Sequence, residues 1–172
     1  MMRASKALRH AILGLVAVAA PAGASRLATQ VAPAPLLLIN ETRSAPRGVY
    51  LRSADPQPRP GRRVTIAQPP AARPYLASLR VPAEMRLLKR VAAVAGERVC
   101  AEGDVLRTPR EAVRILARDR RGVPLPAWRG CRRLAADEVF LLGDSPESFD
   151  GRYFGPLRRD RIEAAYREVL RW

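Results

Sequence analysis

Among 31 basic residues the chain has only two lysines, Lys6 and Lys89. Lys6 lies in a segment with the features of an export signal, which leaves Lys89 as the lysine of the mature protein. The distinction is chemical: a guanidinium stays protonated at any useful pH, whereas an ammonium among apolar neighbours can lose its proton and act as a base. Bringing a lysine from about 10.4 to near neutrality means disfavouring its charged form by roughly 4 kcal/mol, which burial can supply. Such a base needs a nucleophile. The only histidine, His10, lies in the same N-terminal segment, so a Ser-His-Asp triad is excluded, and the known substitute is a serine with a lysine base. The serines after the signal are Ser25, Ser44, Ser53, Ser78, Ser145 and Ser148. Ser44 stands out because it sits in a loop between two apolar runs, with Pro46 and Gly48 tightening the backbone. Such a loop can present a hydroxyl and leave a backbone N–H for an oxyanion. Composition alone also permits a lysine kept by chance in an Ala/Arg/Pro-rich chain, and Ser-Ala-Pro also fits an ordinary turn.

The elements that must position these groups read as short strands. Leu87 to Gly96 is apolar, rich in Val and Ala and ended by Gly-Glu, as expected of a buried strand. Alternation puts Leu87, Lys89, Val91, Ala93 and Ala95 on one face and Leu88, Arg90, Ala92 and Val94 on the other, so Lys89 falls in an apolar row. Leu36 to Ile39 and Val49 to Arg52 are strands flanking the Ser44 loop. Ser53 to Gly61 carries three prolines and is an open connection. Arg63 to Ala67 is a further strand, and Pro69 to Pro82 holds one or two helical turns. Arg98 to Cys100 and Val105 to Arg107 form a hairpin, Glu111 to Ala117 alternates weakly, and Glu138 to Leu142 is a firm strand. Arg161 to Trp172 is ambiguous: its apolar positions fit a helix, while its setting after a run of strands suits a closing strand.

At 172 residues the chain is long enough for one domain with a real core. Its net charge of +15 suits nucleic acid, an anionic membrane or a solvated Arg-rich surface. The arginines are scattered and aromatics are few, which speaks against a stacking platform for single strands, so no nucleic acid is expected. Arg3, Lys6 and Arg9, the apolar run Ala11 to Ala24 and the Ala22-Gly23-Ala24 pattern make residues 1–24 a signal peptide or a retained signal anchor. The run is short beside the roughly 20 residues of a membrane span. Export would permit a disulfide between Cys100 and Cys131, which would stabilise by about 3 to 4 kcal/mol; two free buried thiols are the alternative. With two cysteines and no histidine beyond the signal, no metal site is expected.

Three boxes in order then resemble a known family. They are Asn40-x-Thr42-x-Ser44-x-Pro46-x-Gly48-x-Tyr50; Leu88-Lys89-Arg90-Val91 leading to Ala95-Gly96; and Gly143-Asp144 followed by Ser148-Phe149-Asp150-x-Arg152-Tyr153-Phe154-Gly155-Pro156. Together with Cys100 and the segment from Gly122 to Arg132, they are similar to the conjugative transfer signal peptidases, the TraF branch of the type I signal peptidases. The resemblance runs from Ile39 to Leu157. It implies a mostly β fold of antiparallel sheets with an N-terminal export or anchor helix. A periplasmic Ser/Lys peptidase domain over 25–172 would contain a small disulfide-tied excursion at about 97–135.

Carried over by position, the resemblance makes Ser44 the acylated nucleophile and Lys89 its general base. Thr42 and Pro46 join Ser44 in the oxyanion and substrate-binding group. Asp150 becomes a catalytic acid linked to activity, with Arg152 and Ser148 supporting it. One position departs from the pattern: Gly151 stands where the family often has serine, so any orientation of the lysine by that hydroxyl must come from elsewhere, with Ser148 the candidate. The implied partners are the inner membrane and an exported protein substrate, a conjugative pilin precursor with small residues near the cut, which such enzymes trim and join head to tail. No cofactor is implied. Two other readings fit the same residues: a general type I signal peptidase, and a catalytically silent periplasmic module that binds pilin.

Overall fold

The computed structural model describes residues 33–172; the expected signal or anchor over 1–24 lies outside them. Two antiparallel sheets hold almost everything. Strands β1 (Leu37–Asn40), β2 (Gly48–Arg52), β3 (Arg63–Ile66), β4 (Leu87–Val94), β9 (Glu138–Leu142), β10 (Leu157–Arg158) and β11 (Ile162–Arg171) form a seven-stranded sheet in the order β1-β2-β11-β3-β4-β9-β10. Strands β5 (Arg98–Glu102), β6 (Val105–Arg107), β7 (Ala112–Arg114) and β8 (Gly130–Arg133) form the second sheet, ordered β7-β6-β5-β8. The helices are short: a 3-10 turn at Pro70–Ala72 runs into α1 (Arg73–Ser78), and α2 (Gly151–Phe154) follows the third box. Among the described residues no helix is long and apolar enough to cross a membrane.

The lysine strand forms where its composition places it, paired with β3 on one side and β9 on the other. It stops because Gly96, at φ 78, takes the left-handed position of a turn closed by the Glu97 N–H on the Val94 carbonyl at 3.1 Å. The expected strict alternation fails after Val91. A bulge between Val91 and Ala93 shifts the register against β9, so Ala92 and Ala93 both turn into one core with Phe140 and Leu142, while Val94 rejoins Val91 in the other. The added residue flips the face that each later side chain takes.

The second sheet is the expected excursion, and it is more than a flap. Val99, Ala101 and Leu106 are fully or almost fully buried in one cluster with Ala92, Ala93, Phe140 and Leu142 of the main sheet. At about 1.5 to 3 kcal/mol for each large apolar side chain taken from water, this packing anchors the excursion on the strands that carry the base. Cys100 and Cys131 face one another across β5 and β8 and are joined in a disulfide.

Residues 162–171, ambiguous in sequence, form a strand. Bulges between Ile162 and Ala164 and between Glu168 and Leu170 break the period of two, which is why Ile162, Ala165, Tyr166, Val169 and Leu170 mimic helical spacing. β11 lies between β2 and β3 and thereby joins the hairpin carrying the Ser44 loop to the strands carrying Lys89.

Candidate active site

The turn from Asn40 to Gly48 is folded around one buried side chain. The Asn40 amide nitrogen donates to the carbonyls of Thr42, Ala45 and Pro46 at 2.9, 3.0 and 3.0 Å, and its oxygen accepts from the Thr42 backbone N–H at 3.3 Å and the Thr42 hydroxyl at 2.8 Å. Tyr50 closes the far side by donating its hydroxyl to the Pro46 carbonyl at 2.7 Å. Gly48 is required because a Cβ there would lie 2.0 Å from the Leu170 carbonyl oxygen on the neighbouring strand. The loop so fixed presents Ser44, half-buried, with its Oγ 2.8 Å from Thr42 Oγ1. Among the described residues no acceptor meets the Ser44 N–H, which leaves it available to an incoming oxygen.

Lys89 is 3 % exposed and donates from Nζ to Ser148 Oγ at 2.7 Å. Burial lowers its pKa to about 8; the nearby Asp150 charge opposes that shift and the Arg152 charge adds to it. This is the direction a general base needs. Ser44 and Lys89 line the same cleft of about 570 Å3, whose walls include Leu38, Leu76, Val81 and Leu87. In the free protein each has a different hydroxyl partner, Thr42 for Ser44 and Ser148 for Lys89.

The third box positions Ser148. Asp150 is fully buried and caps α2, taking the Arg152 N–H at 3.1 Å and the Gly143 N–H at 2.8 Å. It also pairs with the Arg152 guanidinium at 2.9 and 2.7 Å. Arg152, 1 % exposed, gives its remaining donors to the carbonyls of Arg114, Ser145, Pro146 and Ser148. One buried ion pair thus gathers the whole loop from residue 143 to 152, with the charges satisfied by hydrogen bonds as burial demands. Asp150 forms its hydrogen bonds with Gly143 and Arg152, and it reaches Lys89 only through space. Its placement is that of a positioning residue.

Two glycines explain the shape of this loop. A Cβ on Gly143 would stand 2.0 Å from Ser148 Oγ, so only glycine admits the hydroxyl to Lys89. A Cβ on Gly151 would meet the Leu141 carbonyl oxygen at 2.6 Å and the Phe140 ring at 2.7 Å, so the serine common at this position has no room here. The two loops are also joined directly: the Asp144 N–H donates to the Ser44 carbonyl at 2.9 Å. Burial pushes the Asp144 carboxyl up, but Arg63 and Arg90 outweigh it and hold the group below the usual carboxylate range.

Of the residues singled out in sequence, Thr42, Ser44, Lys89 and Ser148 line the one cleft. Asp150 and Arg152 lie behind it. Pro46 contributes its carbonyl to the loop clamp and lines a separate hollow with Arg43, Arg47 and Asp144. Sequence reasoning gave no role to Asn40 or Gly143. The signal for Asn40 was an amide at the end of an apolar run, two residues before Thr42 and four before Ser44, where a buried polar side chain must find partners. Among the described residues, no cluster of His, Cys, Asp and Glu could hold a metal.

Residues 13–172 match the family model described as signal peptidase, peptidase S26, and the chain belongs to that family. Within reach of it are two plasmid transfer proteins TraF from Escherichia coli. One is 34 % identical over 149 residues and the other 33 % over 147, each match spanning 78 % of this chain and 82 % of the relative. The resemblance read from the three boxes is borne out by these matches. A solved signal peptidase I from Enterococcus faecalis is similar at 23 % identity and a TM-score of 0.39, over 63 % of this chain and 95 % of that one; the family assignment rests on the sequence matches.

Proposed function

We propose that the protein is a serine endopeptidase of the signal peptidase type, acting through an acyl-enzyme on Ser44 with Lys89 as general base. The observation that carries the reading is a lone buried lysine, its pKa lowered to about 8, opening beside Ser44 into one apolar-walled cleft. For acylation the Ser44 hydroxyl leaves Thr42, its partner in the free protein, and is met by Lys89 within the cleft that both residues line. The neutral amine takes that proton, Oγ attacks the peptide carbonyl, and the carbonyl electron pair becomes an oxyanion facing the Ser44 N–H and Thr42. Lys89 then returns the proton to the leaving amine, and an ester on Ser44 remains. Water attacks the ester to release an acid; an amine of the same substrate attacks it to form a new peptide bond. The cleft walls suit an extended chain with small side chains near the cut.

The substrate proposed is an exported pilin precursor of conjugative transfer, met on the periplasmic side of the inner membrane. The likeness to the plasmid transfer proteins TraF supports it. The test is intact mass of a co-encoded pilin precursor incubated with wild type, Ser44→Ala and Lys89→Arg. Wild type alone should shorten it, and a product lighter by one further water marks cyclisation. Shortening by either variant removes the dyad. A panel of ordinary preproteins left uncut separates this narrow enzyme from a general signal peptidase, and a wild type that fails to react with a serine-directed acylating probe would mark a silent binder.

A further inference from the structure

Resting on the Ser44 and Lys89 reading, the proton count around Thr42 assigns a role to a residue that this reading leaves out. The Asn40 amide is oriented without ambiguity, because the end that meets three carbonyl oxygens must be the NH2 group. Its other end, Oδ1, can only accept. The Thr42 hydroxyl has one proton, and at 2.8 Å from Oδ1 that proton is given to Asn40. The 2.8 Å contact between Thr42 and Ser44 must therefore use the proton of Ser44. So the free protein stores both hydrogens away from the chemistry: Ser44 O–H points at Thr42, and Thr42 O–H points at Asn40.

We propose that Asn40 is a positioning residue for acylation, holding the Thr42 hydroxyl by its proton until the oxyanion forming on the substrate takes that proton as a stronger acceptor. The exchange breaks one hydrogen bond to a neutral amide and makes one to an anion. Asn40 Oδ1 keeps a partner throughout, the Thr42 backbone N–H at 3.3 Å, so no buried acceptor is orphaned by the switch. A contact that strengthens only as charge develops raises kcat rather than substrate affinity.

The test is a cycle of Asn40→Ala and Thr42→Val in the full chain, measuring kcat and KM for peptide cleavage, labelling of Ser44 by a phosphonate probe, and the thermal midpoint. Asn40→Ala should lower kcat about 10- to 100-fold, less than the roughly 10²- to 10³-fold of a deleted oxyanion-hole donor because the hydroxyl itself remains, with KM within about threefold of wild type. In the Thr42→Val background, where no hydroxyl is left to position, the same change should cost no more than about threefold. The lower limb of the pH profile, set by Lys89, should not move. Should Asn40→Ala fail to fold, Asn40→Gln keeps a donor and an acceptor but moves them by one methylene, and kcat should still fall with KM held. An equal loss of kcat in both backgrounds, or wild-type kcat in either Asn40 variant, overturns the assignment while the peptidase reading stands. A wild type that neither cleaves nor is labelled overturns the peptidase reading and this role with it.

Discussion

Lys89 Nζ and Ser148 Oγ are 2.7 Å apart and both residues are buried, and this contact aims the only side-chain amine of the described residues. A long side chain on a strand has several rotamers, and a buried hydroxyl selects one of them. Ser148→Ala should cut kcat by about 10²-fold, the cost of misplacing a catalytic group by about 1 Å, with little change in KM. Steady-state kinetics on a small peptide substrate decide it, and unchanged kcat means that packing alone aims the amine.

The close approach at Gly143 gives a second expectation. Gly143→Ala leaves Ser44, Lys89 and Ser148 in place by name, yet its new methyl group occupies the position of Ser148 Oγ. The hydroxyl must rotate away, and activity should fall as far as in Ser148→Ala, with about 1 to 3 kcal/mol of overpacking added to the loss of stability. Combining the two changes should cost scarcely more activity than either alone. Full additivity would show that the glycine acts elsewhere.

The titration of Lys89 sets the pH dependence. Activity needs the neutral amine, so kcat/KM should rise with pH and level off above about 8. Lys89→Arg keeps the charge but cannot deprotonate, and should be inactive across the whole range.

Stability moves in the same direction for the same group. The folded pKa of about 8 lies below the ordinary 10.5, so between those values the unfolded chain binds the extra proton, and the contribution of Lys89 to stability rises with pH across that window. Below it the penalty is complete, about 3 kcal/mol for a shift of that size. Lys89→Met should therefore be inactive and more resistant to urea than wild type at pH 7. A lower midpoint for that variant would contradict the cost assigned to burying the charge.

The disulfide offers a test remote from the cleft. Cys100→Ser with Cys131→Ser should lose about 2 to 5 kcal/mol of stability. The β5 to β8 sheet keeps its buried face on Ala92, Ala93, Phe140 and Leu142, so below the new melting point cleavage should persist. Loss of activity without unfolding would mean that the excursion reaches the site.

Much of the site was legible because scarcity is informative. One lysine and no histidine among residues 33–172, and a serine between two strands, leave few mechanisms. The lysine strand, the excursion and its cysteine pair were readable from runs of small apolar residues and turn glycines. What the sequence hid were features fixed by the third dimension. The bulge at Val91 to Ala93 has no signature in a run of alanines and valines, and the two bulges of β11 made a strand look helical. The role of Asn40 depends on which way an amide faces, and that of Gly143 on an absent methyl group that would crowd Ser148.

The place of β11 has a consequence for how the protein is made. The Ser44 hairpin and the Lys89 strands are not neighbours in the sheet; the strand at Ile162–Arg171 fills the space between them, and it follows every other strand in the order of synthesis. Until it arrives, two half-sheets with open edges wait on either side of a gap, and their hydroxyl and amine have no common cleft. On the peptidase reading, a chain that still lacks this strand would have its nucleophile and its base in separate half-sheets, so cleavage should require the last strand to be in place.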